Sequence, residues 1–249
     1  MKKPIIAILL TLASLTLNAA DIWHISNYYV RFAYALGGAM PLDMPASIRS
    51  LNKFPLQANY IVGVDAYHPV NDKWGMMVGL QLEKKGMESD ATVKGYSMSI
   101  TQGSNTVSGV FTGYVNTQES QTLVTIPLQV TYDIGRKWRL KFGPYISYLI
   151  SGKFEGYAYN GYLRNGGPTG TKVLLGDTED SRGNYDFAED MRKIQWGLTL
   201  GADWYAGSHV GAFAGLKFGM NGVFVSDFDV IEQAMHPIYG EIGILYRLK

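Results

Sequence analysis

The stretch K193-I-Q-W-G-L-T-L-G-A-D-W-Y205 alternates with a period of two. Ile194, Trp196, Leu198, Leu200, Ala202 and Trp204 fall on one face of an extended chain. Gln195, Gly197, Thr199, Gly201, Asp203 and Tyr205 fall on the other. This is a strand pattern, since successive side chains of a strand point to opposite faces. The apolar face carries a Trp near each end, and the opposite face is small and polar with a charge near its middle.

The same pattern recurs in seven further segments, at 28–37, 59–67, 73–83, 124–134, 137–151, 210–220 and 238–249. Each is about as long as the roughly 9–11 residues that cross a bilayer at a tilt. The links between them alternate strictly. H68-P-V-N-D72, D133-I-G-R-K137 and A206-G-S-H209 are tight turns. The other links, from 38, 85, 152 and 221 onward, are long. An even number of strands with alternating short and long links is the pattern of an outer-membrane barrel, whose periplasmic turns are short and extracellular loops long. The expected fold is therefore all-β: an eight-stranded antiparallel up-and-down transmembrane β-barrel with both termini periplasmic.

The faces follow from that fold. The apolar face, with aromatic residues near its ends, meets lipid, and the polar face lines a lumen that eight strands leave nearly filled by side chains. Parity points Arg31, Arg139, Lys141, Lys217 and Arg247 inward against Asp65, Glu83, Asp133, Asp203 and Glu241, five charges of each sign that are expected to pair. Tyr29, Tyr145, Phe213 and Tyr239 also point inward. Pro127 and Pro144 interrupt their strands and are expected at bulges or kinks. Within the 85–120 link, T92-V-K-G-Y-S-M-S-I100 and V107-S-G-V-F-T-G-Y-V115 flank a turn-like cluster. They read as a hairpin that lengthens its two strands, although Lys94 shares a face with Tyr96 and Met98. A ten-stranded barrel is the alternative.

Composition agrees. The 249 residues are 47% hydrophobic and include 29 Gly, 17 Tyr and no Cys, with a mean hydropathy of −0.03. A Cys-free chain has no disulfide scaffold and no thiolate metal site. The N-terminus, M1-K-K-P-I-I-A-I-L-L-T-L-A-S-L-T-L-N-A-A20, places two Lys before an apolar run and small residues after it, the order of a secretory signal peptide. Residues 1–20 are assigned to it and 21–249 to the barrel domain. Without Lys2 and Lys3 the chain holds 20 Lys and Arg against 21 Asp and Glu, a balance with no pull toward nucleic acid.

The segments V124-T-I-P-L-Q-V-T-Y-D-I134, K141-F-G-P-Y-I-S-Y-L-I-S-G-K153, G197-L-T-L-G-A-D-W-Y205, G215-L-K-F-G-M-N-G-V-F224 and G240-E-I-G-I-L-Y-R-L-K249 resemble the PorT-like outer-membrane β-barrel family of Bacteroidetes. G79-L-Q-L-E-K-K-G-M-E-S89 resembles that family's third strand. The resemblance covers about residues 26–249 and is most specific at I126-P-L and G143-P-Y. It implies an outer-membrane barrel of the cell envelope but no single activity; PorT itself is tied to the type IX secretion system. Such barrels usually finish on an aromatic residue, whereas this chain finishes on Leu248-Lys249, which leaves Tyr246 as its terminal aromatic.

Motifs for chemistry are weak. G166-G-P-T-G-T-K172 lacks the Gly-Lys-Ser/Thr order of a phosphate loop. G176-D-T-E-D-S-R-G-N-Y-D186 lacks the spacing of a calcium loop and reads as a solvated loop. His24, His68 and His209 fall at the short-turn side. His236, in E232-Q-A-M-H236, falls at the opposite side with Glu232 four residues away and no Ser beside it. No catalytic, cofactor-binding or metal-binding residue is assigned. The expected function is a non-porin barrel with a structural, accessory or surface-binding role, with an outer-leaflet lipid-modifying enzyme as the alternative. Its expected partners are outer-membrane lipids, the barrel-assembly machinery and an envelope or secretion-system protein.

Overall fold

The computed structural model describes residues 27–42, 45–55, 57–102, 105–166, 169–228, 230–231 and 234–248. The segment assigned to the signal peptide and His24 lie outside them. The described residues form eleven strands: β1 (Asn27–Pro41), β2 (Ile48–Lys53), β3 (Tyr60–Pro69), β4 (Trp74–Gln102), β5 (Asn105–Ile134), β6 (Trp138–Asn165), β7 (Lys172–Leu175), β8 (Gly183–Asp186), β9 (Ile194–Tyr205), β10 (Val210–Gly219) and β11 (Met235–Arg247).

Eight of them close a ring in the order β1-β3-β4-β5-β6-β9-β10-β11, with every neighbouring pair antiparallel. These are the eight strands expected from the alternation. The closing seam runs from Tyr29↔Arg247 to Pro41↔Met235. Gly37 lies on it with φ +145°, and a Cβ there would stand 2.0 Å from the Ile238 carbonyl oxygen, so only glycine lets the two strands meet.

The outside of the ring is apolar. Phe32, Val64, Phe142, Leu200 and Ile244 are each at least half exposed, as part of a band spanning all eight strands. Facing water, each such side chain would forgo about 1.5–3 kcal/mol of burial, and a continuous apolar belt is not a surface that water-soluble monomers show. The solvent of this belt is lipid. Aromatic girdles bound it: Trp74, Tyr132, Trp138, Trp204 and Tyr246 at the short-turn end, Tyr34, Tyr60, Tyr148 and Trp196 at the other. From Trp196 to Trp204 is about 26 Å along the strand, or about 20 Å after a tilt of about 40°, close to the ~25 Å apolar band of such barrels.

Beyond this band the pattern reverses. On β4 the outward positions change from Leu80 and Leu82 to Lys84, Glu88 and Thr92, while the inward ones change from Gln81, Glu83 and Lys85 to Met87, Ala91 and Val93. Lys84 Nζ donates to Ser120 Oγ of β5 at 2.5 Å, and Lys153 of β6, well exposed, pairs with Glu155. From this line β4, β5 and β6 continue into a projection, and β4 and β5 stay paired as far as Gln102↔Asn105. β8 pairs with β6 and reaches β4 at Thr101↔Asn184, which closes a small tube. β2 adds to β4 and β7 to β6. The tube is filled by Val93, Met98, Ile100, Phe111, Val115, Ala158 and Leu163, all buried. At its base Phe154, Phe224 and Phe228 stack beneath Phe187 and Tyr185.

The hairpin expected within 85–120 is present, and the ring has eight strands rather than ten. The conflict at Lys94 is resolved by a bulge: the register shifts between Lys94 and Tyr96, and Gly95 takes φ +70°. Lys94 therefore points out while Met98 points in. The prolines behave otherwise than expected. Register is continuous through Pro127 and Pro144. Beside Pro127 the ladder lacks pairs between Val78↔Leu128 and Gln81↔Thr125 without any shift, because a missing N–H removes bonds but adds no residue. The 152–190 link is also more ordered than a loop. It holds the upper half of β6, β7 and β8, and the acidic 176–186 stretch ends in a strand.

Candidate functional site

Two places gather polar side chains, the lumen and the outer face of the projection. In the lumen, charges are layered along the barrel axis. Near the short turns, Arg139 binds Asp133 through Nε at 2.6 Å and Nη2 at 3.0 Å, donates to Tyr29 Oη at 3.0 Å, and lies 3.8 Å over the Tyr67 ring. One layer up, Arg31 forks onto both oxygens of Asp203 at 2.9 and 2.8 Å and donates to Asp65, while Lys141 reaches Asp203 at 2.7 Å. Next, Lys217 bridges Glu83 and Glu241, the latter at 2.9 Å, and Lys85 reaches Glu83 at 2.5 Å. Above these, Gln195 Nε2 donates to Gln121 Oε1 at 2.6 Å, and Gln121 donates to Glu119.

All five expected acids are therefore paired. The expected bases are paired except Arg247, which lies over the rings of Tyr205 and Tyr29 at 5.1 and 5.6 Å. Lys85, beyond the sequence segment assigned to the strand, takes the fifth place. Pairing is required physically, because a buried charge without a partner costs several kcal/mol. Tyr29, Tyr145, Phe213 and Tyr239 are buried among these layers, as parity indicates. A lumenal cavity lined by Arg31, Lys141, Lys217 and Phe213 measures about 20 Å³, room for about one water.

Glu119 sits where lumen and projection meet, beyond the apolar band. It accepts from the Ala39 amide at 3.2 Å and is buried, and burial holds its carboxyl above the ordinary value.

The projection carries two polar clefts on its outer face, of about 430 and 250 Å³, which share Asn116 and Tyr157 as a common wall. Tyr185 anchors that wall from inside, donating to the Asn116 carbonyl at 2.7 Å, and burial pushes its hydroxyl well above the usual pKa. The upper half of β6 and β8, which supply much of this face, went unread in the sequence as strands. The cue available there was the spacing of Tyr157, Tyr159 and Tyr162. His236 is occupied structurally, donating from Nδ1 to the Gly219 carbonyl at 2.9 Å and stacking on Phe218. His209 lies at the opposite end, against Tyr246 and Ser208.

An apolar exterior bounded by aromatic girdles around a charge-paired, filled interior defines a transmembrane β-barrel of small bore. The model of the outer membrane protein β-barrel domain family matches residues 23–225, and the chain belongs to that family. It is an outer-membrane protein. Two solved structures similar to it are Ail, the attachment invasion locus protein of Yersinia pestis, and Neisserial surface protein A. The first is 9% identical with a TM-score of 0.38, over 89% of this chain and 97% of that one. The second is 12% identical with a TM-score of 0.33, over 89% and 96%. No curated protein matches the chain.

Proposed function

We propose that this protein is a non-porin, non-enzymatic barrel whose projection stands outside the cell as a recognition surface. The chain is delivered by a signal peptide removed near residue 20, and both ends of the mature barrel lie in the periplasm. The observation that carries this reading is the reversal of polarity at Lys84, Ser120 and Lys153. Below that line the outside is apolar and the inside charged; above it the inside is apolar and the outside polar. A wall in lipid needs the first arrangement and a wall in water the second. The resemblance to PorT-like barrels supports an accessory role beside an envelope secretion machine, reached through contacts of the projection or of the periplasmic turns. His236 serves packing, which weighs against a lipid-modifying enzyme.

The test is an epitope inserted between Gln102 and Asn105, at the hairpin tip. Antibody should label intact cells, and carbonate-washed membranes should retain the protein. Labelling only after the outer membrane is permeabilised would reverse the orientation and sink the reading.

A further inference from the structure

We propose that the paired clefts on the projection form a binding site for a neutral oligosaccharide; the inference rests on the extracellular placement argued above. The larger cleft has the volume of a small-molecule site. Its lining is rich in groups that both donate and accept. Asn116 and Gln118 come from β5, Asn184 from β8, and each primary amide offers a carbonyl and an NH₂ to hydroxyl partners.

Charge decides against an anionic ligand. Glu155 is paired with Lys153, and Arg182 offsets Asp186 within the same lining. Arg182 is itself engaged, with its guanidinium 4.2 Å over the Tyr157 ring and its Nε donating to Asn184 Oδ1 at 3.0 Å. What remains in the larger cleft is polar surface without net charge, the complement of a polyol, while the smaller cleft sets Glu88, Asp90 and Asp177 against Lys53, an acidic excess that repels an anionic chain and leaves carboxylates to accept from hydroxyls. The aromatic component is also present. Tyr114, Tyr159 and Tyr157 form a strip with ring centroids 5.4 and 5.5 Å apart, and Tyr114 is 40% exposed. Sugar rings present apolar C–H faces with hydroxyls at their edges, and tyrosine likewise joins an apolar body to a polar tip.

Asn116 is the second, independent pointer. Only 7% of it is exposed, yet its Oδ1 has no hydrogen-bond partner. Buried polar groups are normally satisfied, and an unsatisfied one calls for an explanation. Asn116 lines both clefts, and its unpartnered oxygen is covered in this structure, so a shift of the wall is what would bring it to a hydroxyl on either side. A ligand extending through both clefts would pass Tyr157 and then Tyr159, whose hydroxyl is fixed on Asp90 at 2.7 Å. That geometry suits a chain of sugar units better than a single ring.

The test uses the full-length mature chain in nanodiscs, probed with an array of neutral, sialylated and sulfated oligosaccharides. Neutral glycans should be retained. Tyr157→Ala and Gln118→Ala should each weaken retention at least about fivefold, as loss of a ligand contact does. Gln118 is exposed, so its variant keeps the test meaningful if Tyr157→Ala disturbs the projection. No retention of neutral glycans, retention of charged glycans alone, or unchanged retention in both variants would overturn the proposal. Repeating the array with lipopolysaccharide in the nanodiscs separates the two sources of such sugar. Competition identifies a glycolipid of the same leaflet, and equal binding identifies a free glycan. If the epitope labels intact cells but no glycan binds, this inference alone fails; if intact cells are not labelled, the orientation has failed first.

Discussion

Leu198 and Thr199 are neighbours in the chain and meet different solvents. Leu198 faces outward on β9, paired with Pro144 and Phe218, between Trp196 and Trp204. Thr199 faces the lumen, 5% exposed. Leu198→Arg should therefore destabilise the barrel by about 2–4 kcal/mol, the usual cost of a basic residue on the lipid face near mid-bilayer, read from urea unfolding in lipid vesicles. Thr199→Arg should act through crowding beside Lys141 and Lys217 instead, so its cost should not vary with bilayer thickness. Equal stability of Leu198→Arg and wild type would mean that the facing is wrong.

At the scale of elements, legibility followed the solvent. Where lipid lay outside and paired charges inside, a strict period of two was enforced, and all eight spanning strands could be read from stretches such as 193–205. In the projection, water lies outside and the demand for strict alternation relaxes. Register shifts at Gly95 and between Thr112 and Tyr114 break the parity there, and one between Thr122 and Leu123 already breaks it at the upper edge of the ring. Asn160 takes φ 45° within β6. Phe154, Ala158 and Leu163 all point inward, at spacings of four and five that no single period describes. β2, β7 and β8 are six residues or fewer, and β2 and β8 pair with segments distant in sequence. The clefts depend on these elements and were hidden with them. Glu119, at the junction, couples the projection to pH. Burial raises its carboxyl, so the folded chain holds the proton more tightly than the unfolded chain. The stability this confers is full below the ordinary carboxylate pKa of about 4.3 and is lost as pH rises through the raised value. Pulse proteolysis should find the projection more resistant in acid than at neutrality, and Glu119→Gln should flatten that difference. Parallel pH profiles for the two proteins would show that Glu119 does not titrate in the way its burial requires.

The whole molecule is two cores of opposite kind stacked end to end. The lower core is ionic and the upper one apolar, and their order follows from the surroundings of each wall. An eight-stranded ring leaves an interior just wide enough for side chains. Here that interior is occupied in successive layers by Arg139 with Asp133, Arg31 with Asp65 and Asp203, and Lys217 with Glu83 and Glu241. Tyr145 and Tyr239 add bulk between the upper layers and the projection. A permeating ion would have to displace bonds of the bidentate Arg31–Asp203 kind and leave a buried charge unpaired, a cost of about 3–5 kcal/mol for each pair broken. Several such layers in series make passage negligible. The purified barrel in planar bilayers should therefore show no stable open channel at moderate voltage, with or without the projection. Steady conductance of porin size from a folded monomer would require that the layers part, and would overturn the filled interior on which the non-porin reading stands.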